Sequence, residues 1–180
     1  MFHPLLLREA PRPREATAPT DAIPVDNASA AQYPDVTVRA TTSQSGVSEA
    51  SGHVFVAKTP EAFVHDDDGN LLSDGRWAYT WDGENRLVSM TTHASVPPLA
   101  QRRIVFAYDH MSRRATKHEF TRNPATGALD APAGEAAYAW DGWTLAAEFA
   151  PSTGAAVRRY VWNPSARGGH RSLAAVRLGG

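Results

Sequence analysis

The chain has 180 residues, 19 acidic and 18 basic side chains, a formal charge of -1 and no cysteine, which at roughly 100–200 residues per domain means one domain, or a modest domain with tails. Zero Cys excludes a disulfide-stapled scaffold, thiolate metal ligation and a cysteine nucleophile, and the near-neutral charge removes the bulk attraction that would argue for nucleic acid or an anionic membrane surface. Thirteen Gly and thirteen Pro mark a turn-rich chain of short strands rather than long helices.

At the start, Leu5-Leu6-Leu7 is followed at once by Arg8, Glu9 and Pro11, too short an apolar run for a signal-peptide core or a membrane span. The expectation is a soluble chain without a signal peptide or a membrane span. Residues 1–32 are rich in Pro, Ala, Thr and Asp, with Phe2 as the one aromatic, and read as a disordered segment or linker. The first strand signal is Asp35-Val36-Thr37-Val38-Arg39-Ala40-Thr41, with β-branched residues alternating. A polar Ser/Gly stretch over 42–52 reads as a loop leading to a second signal, Val54-Phe55-Val56. Residues 33–58 are thus either a loose hairpin or the end of a preceding domain, and Lys58-Thr59-Pro60-Glu61 breaks the pattern.

From Phe63 onward the chain carries all five Trp and four of five Tyr, and it repeats. Phe63-Val64-His65-Asp66 recurs as Tyr79-Thr80-Trp81-Asp82, Phe106-Ala107-Tyr108-Asp109, Tyr138-Ala139-Trp140-Asp141 and, more weakly, Tyr160-Val161-Trp162-Asn163. Two aromatics at i and i+2 share one face of a strand. The Asp that follows can accept hydrogen bonds from backbone N–H groups ahead of it and start a turn, here through Asp67-Asp68-Gly69-Asn70, Gly83-Glu84-Asn85 and Gly142. A second short strand then leaves, beginning near Leu71, Arg86-Leu87, Arg114 and Thr144. Each unit reads as a β-hairpin, Gly69 as a residue of positive φ, and Trp77, Tyr79 and Trp81 as the stripe that makes their strand the best-buried segment.

Phe63-Val64-His65-Asp66-Asp67-Asp68-Gly69-Asn70-Leu71, then Trp77-Ala78-Tyr79-Thr80-Trp81-Asp82-Gly83-Glu84-Asn85-Arg86-Leu87, resembles the YD repeat of the bacterial Rhs family, whose pattern is Tyr-Asp-x-x-Gly-Asn-Leu followed by Tyr-x-Tyr-Asp-x-x-Asn-Arg-Leu. Phe106 to Arg114, through Tyr108, Asp109 and Arg113, is similar to a Tyr-Asp-x-x-Gly-Arg-Arg variant with Ser112 in place of Gly, and Tyr138-Ala139-Trp140-Asp141-Gly142 to a late segment of such arrays. The resemblance covers roughly residues 54–163. His65 departs from the usual Tyr, and the family's later core elements, including its self-cleavage motif, do not follow Trp162. The resemblance implies a piece of such a protein: 59–163 as repeat hairpins and 164–180 as a tail or truncated continuation.

Candidate chemical sites read weakly beside this. With Gly69 at loop position 6 of a calcium loop, Asp66 and Asp68 fall at positions 3 and 5, but Val64 and Gly75 occupy positions 1 and 12, so essential oxygen ligands are missing. His3, His53, His65, His93, His110, His118 and His170 show no i, i+3 or i+4 pair from which to build a zinc site. Neither a Gly-x-Ser-x-Gly elbow nor a phosphate-cradling Gly motif is present. The pairs Arg102-Arg103, Arg113-Arg114 and Arg158-Arg159 lie near aromatics, where cation–π contact could serve sugar or single-stranded nucleic acid. Adjacent strand residues point to opposite faces, however, and Arg86 and Arg113 are placed to pair with Asp82 and Asp109. The expectation is an all-β chain of tandem hairpins forming a strip of a curved sheet, with no catalytic residue, cofactor or metal. The resemblance implies wall in a β-shell around a C-terminal toxin or other cargo, with other repeats as partners, in a secreted or cell-surface protein. The alternative is a carbohydrate-binding recognition module.

Overall fold

The computed structural model describes residues 23–41, 46–162 and 173–177, the last without side chains. Most of the expected linker (1–22), Asn163 and the rest of the expected tail apart from 173–177 lie outside the described residues. The described chain is all-β, and its one helical element is a short 3₁₀ turn, Pro98–Ala100.

Two strands, β1 (Asp35–Thr41) and β2 (Val47–His53), form a separate antiparallel hairpin. Here the sequence reading is corrected. The polar 47–53 segment is a strand, while Val54-Phe55-Val56 contributes a single bridge, Gln32 to Val56. The strand arises from backbone pairing with β1, because every β2 residue is exposed and there is no apolar face to detect. The part of the expected linker that is described is anchored: Asn27 Nδ2 donates to the Ala57 carbonyl at 2.6 Å and to Thr59 Oγ1 at 2.8 Å.

The other ten strands form one antiparallel sheet in strict sequence order. They are β3 (Val64–His65), β4 (Leu71–Ser73), β5 (Trp77–Trp81), β6 (Leu87–Thr92), β7 (Arg102–Tyr108), β8 (Arg114–Thr121), β9 (Ala131–Asp141), β10 (Thr144–Phe149), β11 (Ala156–Trp162) and β12 (Leu173–Arg177). Among the described residues each strand touches only the strands before and after it, so β3 and β12 are the edges of the described sheet and no other strand packs on either face. Burial follows from this. Only Thr92, Val96, Ala100, Phe106 and Ala147 are buried among the described residues. Trp77, Tyr79 and Trp81 are half-buried, which corrects the expectation that β5 is the best-buried segment: period-2 alternation gathers them on one face, but among the described residues no strand packs on top of it.

Candidate functional site

Cross-strand pairing gathers the repeat aromatics on one face. Tyr79 stands opposite Met90, Met90 opposite Ile104, Phe106 opposite Lys117, Tyr138 opposite Glu148, and Glu148 opposite Arg158. Directly opposed residues share a face, and so do residues two apart on a strand. Trp77, Trp81, Tyr108, Trp140, Tyr160 and Trp162 are placed with them.

At one end of this sheet three turns share one construction. In the first, Gly69 N–H donates to the Asp66 carbonyl at 3.1 Å and Asp66 N–H to the Asn70 carbonyl at 3.0 Å. Asp66 Oδ1 accepts from the N–H groups of Asp68 at 3.1 Å and Asn70 at 2.7 Å, and Oδ2 from Asn70 Nδ2 at 3.0 Å. Asp82 repeats this with Glu84 N–H and Arg86 N–H, both at 3.0 Å, and Arg86 Nε at 2.8 Å. Asp109 does so with Met111 N–H at 2.9 Å, Arg113 N–H at 3.0 Å and Arg113 Nε at 2.8 Å. The fourth residue of each turn is left-handed, Gly69 at φ 85°, Asn85 at 56° and Ser112 at 58°. The register slips beside each turn, at Val64/His65, Thr80/Trp81 and Ala107/Tyr108. This is a type I turn closed by a one-residue bulge, a common three-residue hairpin loop.

The three carboxyls are held below the ordinary Asp range. At Asp66 the Asn70 side-chain hydrogen bond is the largest cause. At Asp82 and Asp109 partial desolvation pushes upward, but the backbone and guanidinium hydrogen bonds of Arg86 and Arg113 together outweigh it. Asp141 differs from the expected turn opener. It is the last residue of β9, paired with Thr144 across a two-residue turn, and Gly142 at φ 56° supplies the first central residue of a type II′ geometry. With two residues between the strands there is no third position to fold back on the carboxylate.

Two sets of side-chain bonds tie the hairpins together, one along the turns of the first four and one along the aromatic face. Along the turn row, Asn70 Nδ2 donates to Asn85 Oδ1 at 2.9 Å, Arg86 Nη1 to Ser112 Oγ at 3.2 Å, and Arg113 Nη1 to the Gly142 carbonyl. On the aromatic face, the residue before the Asp or Asn of the second to fifth repeats donates to a carbonyl of the preceding hairpin. Trp81 Nε1 reaches Leu71 at 2.9 Å, Tyr108 Oη reaches Leu87 at 2.8 Å, Trp140 Nε1 reaches Arg114 at 2.9 Å and Trp162 Nε1 reaches Leu145 at 2.7 Å. Leu71, Leu87, Arg114 and Leu145 all stand at or next to the start of the strand that leaves a turn. The repeat spacing located these residues, but it gave no sign that the aromatic polar tips make the inter-hairpin bonds.

At the opposite end, Asp74 was missed by the repeat search. Its Oδ1 accepts from Arg76 N–H at 2.7 Å and Trp77 N–H at 2.6 Å, and its Oδ2 accepts from Tyr79 Oη at 2.6 Å. Desolvation opposes ionisation of Asp74, yet the Tyr79 hydroxyl and the two N–H groups hold its carboxyl low. The same burial and carboxylate push the Tyr79 phenol well up. An Asp-Gly pair between two aromatic-bearing segments was the available signal.

The arginine pairs divide as strand geometry requires. Arg113 serves its turn, while Arg114 lies over the Phe106 ring at 4.3 Å. On β11, Arg158 Nη1 donates to Glu148 Oε2 at 3.2 Å, the Tyr160 hydroxyl donates to Glu148 Oε1, and Arg159 is exposed. Tyr108, Arg114, Tyr138, Trp140 and Leu145 surround a cleft of about 320 Å³. Among the described residues no group of three or more His, Asp or Glu is placed to hold a metal ion, and no helix is long and apolar enough to cross a membrane. No family model matches the chain, and no curated protein matches it.

Proposed function

We propose that this chain is a non-enzymatic wall segment, a strip of YD-type hairpins of the Rhs kind that joins further repeats to enclose a C-terminal toxin or other polypeptide cargo. The observation supporting this reading is the pair of stitch rows. Each hairpin is bonded to the next through an aromatic tip and the first four hairpins also through their turns, while no other strand packs on the aromatic face among the described residues. A sheet built so extends by adding hairpins, since every unit contacts only its neighbours. In this reading Phe63, Tyr79, Phe106, Tyr138 and Tyr160 give the wall its apolar face, Asp66, Asp82 and Asp109 fix its turns, and residues 1–32 act as a linker.

The test expresses the chain joined to the coding sequence that follows it in its own reading frame and probes that following segment by limited proteolysis. Protection that requires the repeats is expected. Equal cleavage of the segment with and without them would refute the wall reading. Carbohydrate recognition draws on the cleft among Tyr108, Tyr138 and Trp140, and selective retention on a glycan array without cargo protection would favour it instead.

A further inference from the structure

Arg114 is the one arginine of the cleft, and its position follows from register. It stands opposite Tyr108 across the β7–β8 pair, so its side chain shares the aromatic face, and its guanidinium lies 4.3 Å from the centre of the buried Phe106 ring. Its Nε is buried without a hydrogen-bond partner, and among the described residues its guanidinium makes no hydrogen bond or ion pair. Three carboxylates on the neighbouring strands and turn are already engaged. Asp109 is held by Arg113 at 2.8 Å, Glu148 by Arg158 at 3.2 Å, and Glu119 by Lys117 at 3.5 Å. The other guanidiniums at the same turns, Arg86 and Arg113, each have a carboxylate partner at 2.8 Å. Arg114 therefore presents an uncompensated planar cation beside a cleft whose remaining walls are Tyr108, Tyr138, Trp140 and Leu145.

We propose that this cleft is a binding site for a carboxylate carried on a ring or an apolar stem. A guanidinium matches a carboxylate with two parallel N–H···O bonds. The Phe106 ring under the guanidinium limits the planes this fork can adopt, and the flanking aromatics offer faces for the part of the ligand that carries the charge. Tyr138, whose hydroxyl makes no hydrogen bond to another described residue, can donate a further bond to the same carboxylate. Trp140 is fixed at the cleft by its bond to the Arg114 carbonyl, which makes its indole a reporter of occupancy. The site stands apart from the wall reading, since it needs neither further repeats nor an enclosed cargo.

The probes are benzoate, a carboxylate on an apolar ring such as an acidic peptide beside an aromatic residue would present, N-acetylneuraminate, a carboxylate on a sugar, and benzamide, a neutral near-isostere of benzoate. Each is titrated into the full chain while the indole N–H resonances are followed by NMR. At least one of the two carboxylates is expected to shift the Trp140 resonance with saturable affinity in the millimolar range, and benzamide to bind about tenfold more weakly or not at all. Arg114→Gln is expected to lose about tenfold in affinity, and Tyr138→Phe a smaller factor with an unchanged native spectrum. Tighter binding of benzoate than of N-acetylneuraminate assigns the cleft to a carboxylate on an apolar ring, and the reverse to an acidic sugar. Benzamide binding as well as benzoate, unaltered binding by a folded Arg114→Gln protein, or no saturable shift with either carboxylate would each overturn the proposal. If Arg114→Gln does not fold, the benzamide comparison and Tyr138→Phe decide it alone.

Discussion

Replacing Tyr108 by Phe removes one oxygen and leaves the ring in place, so it isolates the bond from the Tyr108 hydroxyl to the Leu87 carbonyl, 2.8 Å long, that joins the third turn's strand to the second hairpin. A neutral intramolecular hydrogen bond contributes about 1 kcal/mol net. Tyr138 supplies the control, because it lies on the same face, is equally half-buried, and its hydroxyl makes no bond of this kind. Tyr138→Phe is therefore expected to change stability by less than about 0.5 kcal/mol, as for substitutions that break no partner. With a urea slope of about 2 kcal/mol/M, typical of a small domain, Tyr108→Phe lowers the unfolding midpoint by about 0.5 M while Tyr138→Phe leaves it nearly unmoved. The assay is urea denaturation followed by far-UV circular dichroism. Equal midpoints for the two variants would show that the aromatic tips do not stitch the sheet.

The acid limb should follow the clamped carboxylates: Asp66, Asp74, Asp82 and Asp109 are all lowered from an unfolded value of 3.8, so the unfolded chain binds protons first as pH falls. Their stabilisation is complete above that value and is lost as pH drops through the lower folded values, which urea midpoints at about pH 6 and about pH 3 will show, with Asp82→Asn flattening the difference. Gly69→Val should cost about 1–2 kcal/mol because Gly69 sits at φ 85°, where a β-branched residue is strained. Gly69→Asn should cost much less, since Asn85 holds the equivalent place, and equal denaturation midpoints for Val and Asn would refute the turn assignment. Finally, the open edges and the exposure of Phe63 at 60% and Val64 at 51% beside β3 should drive concentration-dependent association, which sedimentation velocity will report; one monomer species across a wide concentration range would contradict it.

The fold class was legible because aromatic-x-aromatic-Asp carries two physical signals at once, a strand face and a turn opener, and together they locate the turns after Trp81 and Tyr108. The Asp–Arg spacing of four in 82–86 and 109–113 likewise anticipates the clamp, since a three-residue loop returns the fourth side chain to the carboxylate. The β2 strand was not legible because its residues, Ser, Glu, Ala and Gly among them, have no buried face to advertise it. Asp141 misled for the opposite reason: its neighbours match the repeat, but Gly142 closes the loop one residue sooner. The Arg114 cleft depends on residues brought together across β7, β8, β9 and β10, and no local pattern encodes that register.

The two aromatic positions of the repeat obey different rules, and the structure gives the reason. Three residues before the Asp or Asn of each repeat stand Phe63, Tyr79, Phe106, Tyr138 and Tyr160, where an apolar ring suffices and Phe is accepted. Immediately before that Asp or Asn stand His65, Trp81, Tyr108, Trp140 and Trp162, and Phe never occurs. Trp and Tyr reach the preceding hairpin by different atoms, an indole N–H or a phenol O–H, but both are donors aimed at a carbonyl, and all four such residues make that bond. The exception is His65, which lies exposed on β3, the edge of the described sheet, with no earlier hairpin beside it to receive a bond. The requirement at this position is therefore a donor of the right length with a neighbour to meet it, and the residue that departs from the pattern sits where the described sheet offers no such neighbour.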